Sequence, residues 1–201
     1  MSRIKKGQAK VLTQDEFKRL LKIVATNTYA KRDKLLMYFS FGLGLRSIEM
    51  AAIKLCDVMT EDGEVKETIK LRRTKGHKPR DAFLTDQRIV NCLLEYVEER
   101  KARAKLKRYI FSLSSPLFLS RRGCHFTNGT LQRLFRIIYE SAGIPASSHS
   151  GRRTFATNLI EKGMDIRAVQ VLMGHANINE TAKYVDNNPE RLKRITAEAL
   201  Y

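Results

Sequence analysis

Apolar and polar positions alternate along the chain mostly at helical intervals, with one short extended interruption. Thr13 and Glu16 stand three apart in front of Phe17, Leu20, Leu21 and Val24, with Leu12 and Phe17 placed as a hydrophobic staple, so a first helix is predicted from about Gln14. The apolar segment Leu35 to Phe41 ends at Gly42 and Gly44, and Ile48, Ala51, Ala52 and Leu55 continue as one further helical stripe. That reading puts Arg46 at a turn that opens a helix. Val65, Ile69 and Leu71, then Ala82 to Leu84, predict two strands separated by the turn Thr74 to Pro79. From Asp86 the residues Ile89, Val90, Leu93, Leu94 and Val97 predict a long helix that runs out into Arg100, Lys101, Arg103, Lys105, Lys107 and Arg108, either a solvated helix end or a phosphate contact.

The second half repeats the helical pattern in shorter pieces. Thr127 precedes Leu131, Leu134, Phe135 and Ile138, closed by Gly143, and a next helix carries Arg152, Phe155, Ala156, Leu159 and Ile160 before Gly163. Asp165 caps a short helix with Ile166, Val169 and Leu172 that stops at Gly174, beside His175. A last helix is predicted at Asn188 and Pro189, with Leu192 and Ile195 on its apolar side. The expected fold class is therefore mainly α with a small antiparallel β-hairpin (α+β). Residues 1–11 form a basic arm and residues 12–201 form one domain.

Charge narrows the choice of partner. Thirty-eight Lys plus Arg face 21 Asp plus Glu, a formal charge of +17 and a pI near 10.0, which repels itself unless a polyanion neutralises part of it. Nucleic acid is the natural match. The chain has no apolar run of transmembrane length, no lipidation motif and no secretory leader, so no membrane partner is expected. Cys56, Cys92 and Cys124 form no CxxC pair, and His77, His125, His149 and His175 form no HExxH array, so neither a metal nor another cofactor is expected.

The chemistry-bearing residues sit in ordered blocks: Gly44, Leu45 and Arg46; His149, Ser150, Gly151 and Arg152; Gly174 and His175; and Tyr184, a phenol nine residues after His175. Guanidinium forks suit the non-bridging oxygens of a phosphodiester, and a phenol is a competent nucleophile toward phosphorus once its proton is taken. These blocks, with Thr74, Lys75 and Gly76 between them and the nearly continuous run from His149 through Tyr184, resemble the catalytic domain of the tyrosine recombinases, the phage integrase family.

The resemblance implies a site-specific recombinase fold and activity: cleavage and rejoining of double-stranded DNA through a 3′-phosphotyrosyl intermediate, for integration, excision or inversion. It makes Tyr184 the nucleophile and Arg46 and Arg152 the phosphate clamp. Lys75 becomes the general acid for the departing 5′ oxygen, and His149 and His175 the proton-handling or phosphate-steadying pair. Glu49, one helical turn after Arg46, supports the site from behind, or is simply an i,i+3 partner of Arg46. Lys78, Arg80 and Arg153 are expected on the DNA. The family's way of working implies a homotetramer on synapsed DNA, and a cytoplasmic protein of a prokaryote, phage or mobile element. Gly151 stands where the family usually has a larger apolar residue and is expected to loosen the hold on His149 and Arg152, and Arg153 replaces a frequent histidine. No separate core-binding domain is expected ahead of the first helix, a layout similar to the short phase-switching recombinases, and an accessory DNA-binding protein is a candidate partner. Two alternatives stay open at this point, a type IB topoisomerase and a non-catalytic DNA-binding protein on the same scaffold.

Overall fold

The computed structural model describes residues 8–71, 79–184 and 196–197. Helix α1 (Gln14–Ala25) begins where the capping box predicts. Thr13 Oγ1 accepts from the Glu16 N–H at 3.2 Å and the Glu16 carboxylate accepts from the Thr13 N–H at 3.0 Å, so two of the donors a helix start leaves open are satisfied. Helix α2 (Ala30–Gly42) carries its charges in its first turn and from Leu35 onward is apolar around most of its circumference, burying Leu35, Leu36, Met37, Phe39 and Phe41. Such a helix belongs in the centre, and α1, α5 (Gln87–Lys107) and α7 (Ser150–Glu161) all pack on it.

The stripe from Ile48 to Leu55 is not one helix. It divides into α3 (Ser47–Ala52) and α4 (Leu55–Val58) because Ile53 is extended, at φ −65° and ψ 133°. The carbonyl of Ile53 accepts from the Leu117 N–H at 2.8 Å, while the amides of Leu55 and Cys56 donate to Ser115 and Leu113. Backbone pairing with a segment some sixty residues away thus wins over continuation of the local helical pattern. The same segment claims Arg100 of the basic run, whose guanidinium bonds the carbonyls of Pro116 and Leu117 and the Ser115 hydroxyl, so this member is neither solvated nor available to phosphate.

Strands β1 (Thr68–Leu71) and β2 (Arg80–Phe83) form the expected antiparallel pair, with Ile69 opposite Ala82 and Leu71 opposite Arg80. The pleat sends Ile69, Leu71, Ala82 and Arg80 to the buried face. The turn with Lys75 and Lys78 lies outside the described residues, as do the first seven residues and, apart from residues 196–197, which are helical, the predicted helix from Pro189.

Helices α6 (Asn128–Ser141), capped by Thr127, and α8 (Ile166–Met173), capped by Asp165, follow the sequence pattern. Helix α9 (Ile178–Ala182) does not, since five residues are too short to show a periodic stripe; the Asn177 side chain starts it by accepting from the Asn179 N–H. Apolar packing is divided in two. One large core joins α1 to α6 with the hairpin, and a small satellite of Ala156, Ile160, Val169 and Met173 joins α7 to α8, with Phe155, Leu159 and Tyr184 against it. Among the described residues no helix is long and apolar enough to cross a membrane.

Candidate active site

Four separated stretches of chain converge on one cleft of ≈ 560 Å³. Arg46 at the start of α3, His149 and Arg152 at the start of α7, His175 after α8, and Tyr184 after α9 all line it.

Arg46 is fixed by its own helix start. Glu49 accepts from the Arg46 N–H at 2.7 Å and from the Arg46 guanidinium at 3.0 Å, so it is the i,i+3 partner of Arg46. Glu49 is 5% exposed. Burial alone would raise its pKa, but hydrogen bonds from Arg80, the Arg80 charge, the Arg46 N–H and the Arg152 charge hold it below the ordinary carboxylate value.

Arg152 reaches back across 108 residues to the turn that precedes α3: its NH1 donates to the Gly44 carbonyl at 2.7 Å and its NH2 to the Met173 carbonyl. NH2 also meets His175 Nε2 at 3.2 Å. A guanidinium has only donors, so Nε2 accepts and the Nδ1–H of His175 donates to Thr181 Oγ1 at 2.9 Å, which fixes the tautomer. The Tyr184 ring stacks beside this imidazole, 5.8 Å between centroids and 23° between planes. Nucleophile candidate and arginine pocket are therefore neighbours within one chain.

Gly44 is where glycine is required. Its φ is +61°, and a Cβ there would lie 2.4 Å from the Phe155 ring on α7. Gly151 contradicts the looseness expected of it. A Cβ at this position would lie 2.2 Å from Ser40 Oγ and 2.8 Å from Phe41 Cδ2, so the missing side chain lets α7 seat directly on α2 and brings His149 and Arg152 to the cleft by close packing.

Arg80 departs from its expected place on DNA. Its side chain is 3% exposed, and it donates through Nε and NH2 to the two Glu49 oxygens at 3.2 and 2.9 Å, through NH2 to the Gly44 carbonyl at 3.1 Å and through NH1 to the Leu172 carbonyl at 2.5 Å. The pleat of β2 turns it to the buried face, out of reach of a duplex on the surface. Arg153 does line the cleft, where it donates to the Ala9 carbonyl at 2.9 Å and the Gln8 side chain at 2.8 Å, tying the incoming chain to α7. The Leu12 N–H, donating to Thr154 Oγ1 at 3.0 Å, adds to that tie.

Three guanidiniums, Arg46, Arg80 and Arg152, thus surround one buried carboxylate, Glu49. Burial first, then Arg46 and Arg80, lower the Arg152 pKa, yet guanidinium stays charged at working pH, so the cleft carries excess positive potential suited to an anion. Partial burial, then Arg152 and Arg46, also lower the His149 pKa from 6.5, leaving the imidazole neutral and able to accept a proton at pH 7. Residues the sequence did not single out complete the lining: Ser47, whose hydroxyl bonds Asn128 at 2.7 Å, Gln132, Glu180 and Lys183. Glu180 and Lys183 lie within the run from His149 to Tyr184 and Ser47 beside Arg46, but the sequence assigns none of them a role there, and only the fold brings them to the cleft. Among the described residues no cluster of His, Cys, Asp and Glu has the make-up of a metal site.

A family model described as the Phage integrase family matches residues 10–191. Tyrosine recombinase XerA of Thermococcus kodakarensis is 30% identical over 201 residues, covering 98% of this chain and 65% of the relative. Tyrosine recombinase XerD of Listeria monocytogenes is 34% identical over 192 residues, covering 94% of this chain and 62% of the relative. The chain therefore spans a little under two thirds of the length of these curated relatives. A crystal structure of XerA recombinase matches with a TM-score of 0.76 at 26% identity, over 98% of this chain and 68% of that one. The fold is also that of XerH site-specific recombinase in a post-cleavage complex with its difH substrate, with a TM-score of 0.73 at 24% identity, over 98% of this chain and 55% of that one.

Proposed function

The chain belongs to the phage integrase family, and from that premise we propose that it cleaves and rejoins double-stranded DNA site-specifically through a 3′-phosphotyrosyl intermediate. The observation that carries this reading is the convergence of Arg46, His149, Arg152, His175 and Tyr184 on one positively charged cleft.

Arg46 and Arg152 receive the scissile phosphate, where planar N–H forks meet the charge that spreads over its oxygens in the transition state. Tyr184 Oη attacks phosphorus, and His149, neutral in the free site, accepts the phenolic proton. The P–O5′ bond breaks, and the departing oxygen takes a proton from Lys75, the general acid that the family resemblance offers. His175, held by Thr181 and already touching Arg152, orients the clamp and the phenol. A 5′ hydroxyl from a partner strand then attacks the phosphotyrosine, and the tyrosine leaves with its proton restored. The ester keeps the energy of the broken phosphodiester, so no nucleotide triphosphate is consumed. Arg153 at the cleft margin and Lys78 in the hairpin turn are proposed to contact the flanking backbone. Exchange between two duplexes needs four active sites, hence a tetramer on DNA, with an accessory protein supplying any further grip. Integration, excision or inversion follows from how the sites are arranged.

The test uses a pool of nicked duplexes with randomised sequence around the nick, so that a cleaved strand cannot be resealed. Wild type is expected to accumulate a denaturant-resistant protein–DNA adduct, and Tyr184→Phe to bind the pool without one. An adduct in the phenylalanine variant would remove Tyr184 as nucleophile. Binding with no adduct from either protein would favour a DNA-binding role alone.

A further inference from the structure

We propose that Arg80 is a positioning residue that takes up the charge of Glu49, so that Arg46 keeps its own charge for the phosphate; this rests on the reading of the cleft given above.

Glu49 is needed at the start of α3, where it receives the Arg46 N–H and guanidinium and so aims that side chain. The same contact has a cost. A buried carboxylate 3.0 Å from a guanidinium makes a neutral pair, and a neutral pair attracts a phosphodiester weakly. Arg80 resolves the conflict by bonding both Glu49 oxygens at once, the fork geometry in which arginine binds a carboxylate most strongly. The trio keeps a net positive charge, and Arg46 is the member of it that lines the cleft.

Arg80 cannot do this job by touching substrate. Its side chain is almost wholly enclosed, and its remaining bonds go to the carbonyls of Gly44 and Leu172, 36 and 92 residues away in sequence. Those two bonds tie β2 to the turn that also holds Arg152, and to the end of α8 just before His175. Gly174 makes the path possible: a Cβ there would lie 2.7 Å from Arg80 Cδ. One side chain thus links the elements that present Arg46, Arg152 and His175.

The experiment measures single-turnover adduct formation on the nicked duplex, duplex affinity and thermal melting for wild type, Arg80→Met, Arg80→Lys, Arg46→Ala and the double variant Arg80→Met with Glu49→Gln. Arg80→Met is expected to lose about 10²-fold in adduct formation, the scale of a lost transition-state donor, with duplex affinity nearly unchanged because many other cations supply it. Adding Glu49→Gln to Arg80→Met is expected to restore about tenfold, since Arg46 then no longer faces an uncompensated carboxylate. A purely structural arginine would give no such recovery, and a double variant no faster than Arg80→Met overturns the proposal. Arg80→Lys, which keeps the charge, is expected to stay within about tenfold of wild type. Should Arg80→Met melt below the assay temperature, a folded Arg80→Lys as slow as Arg46→Ala overturns the proposal equally. Absence of an adduct from wild type would instead sink the functional reading on which the proposal rests.

Discussion

Gly151 offers the sharpest test of how the fold presents the cleft. In an ordinary helix interior, Gly→Ala gains about 1 kcal/mol from propensity alone. Here the new methyl would meet Ser40 Oγ at 2.2 Å, Phe41 Cδ2 at 2.8 Å and Ser40 Cβ at 2.9 Å, where comfortable carbon contacts are about 3.5 Å or more. The Ser40 hydroxyl is itself enclosed, and its Cβ and the Phe41 ring sit on the buried α2, so α7 must lift. Overpacking of this kind costs about 1–3 kcal/mol; with the upper figure, set by three simultaneous contacts, and the propensity gain subtracted, Gly151→Ala is expected to destabilise by about 2 kcal/mol. For a chain of this length that is a fall of about 4–8 °C in Tm. A second variant checks the cause. Ser40 Oγ is buried without a hydrogen-bond partner among the described residues, so Ser40→Ala alone should be close to neutral, and in that background Gly151→Ala should recover about 1 kcal/mol because the nearest contact is gone. Melting followed by circular dichroism gives the cycle, and adduct formation, expected to fall about tenfold as α7 carries His149 and Arg152 out of line, gives the functional consequence. Gly151→Ala melting within about 1 °C of wild type, with no coupling to Ser40→Ala, would refute the claim that this glycine is a packing requirement.

Arg46→Ala and Arg152→Ala should each lower adduct formation about 10²–10³-fold while weakening duplex binding far less, since the chain carries many other cations. Arg152→Ala should also lower stability by about 1–3 kcal/mol, because the Met173 carbonyl loses its Arg152 donor and the Gly44 carbonyl is left with Arg80 as its side-chain donor; equal melting temperatures for the two variants would contradict this. His149 supplies a pH signature. Its pKa is lower in the folded protein than the ordinary 6.5, so below about pH 6.5 the unfolded chain takes up a proton before the folded one does, and stability falls as pH drops from there through the folded value. His149→Gln should flatten that part of a melting-versus-pH curve between about pH 7.5 and 5, and an unchanged slope would show that the imidazole is not held neutral by burial and its arginine neighbours.

Much of this was legible in sequence because it is local. The Thr13 box, the alternation of the hairpin and most of the apolar stripes are patterns within a few residues, and the described residues repeat them except where long-range backbone pairing divides the stripe from Ile48 to Leu55. The site was legible for a different reason: arginine, histidine and tyrosine in ordered blocks carry a chemical meaning that does not depend on knowing their distances. What escaped is the polar scaffold that makes those blocks converge. Arg80 reads as a solvent-facing cation beside other turn cations, and nothing within its neighbourhood reveals that its partners lie 31, 36 and 92 residues away. Gly151 reads as slack because a missing side chain has no local signature of the surface it fits. Composition hides the division of the core as well. Tyr184 leans on the small satellite of α7 and α8 rather than on the main core, and few buried apolar contacts mean a low free energy for local opening. The arginine clamp, by contrast, is anchored to the main body through Gly44 and Glu49. Arg152 and Arg80 also bond the Met173 and Leu172 carbonyls of α8, so the fold ties the proposed clamp to both cores and leaves the proposed nucleophile resting on the smaller one alone.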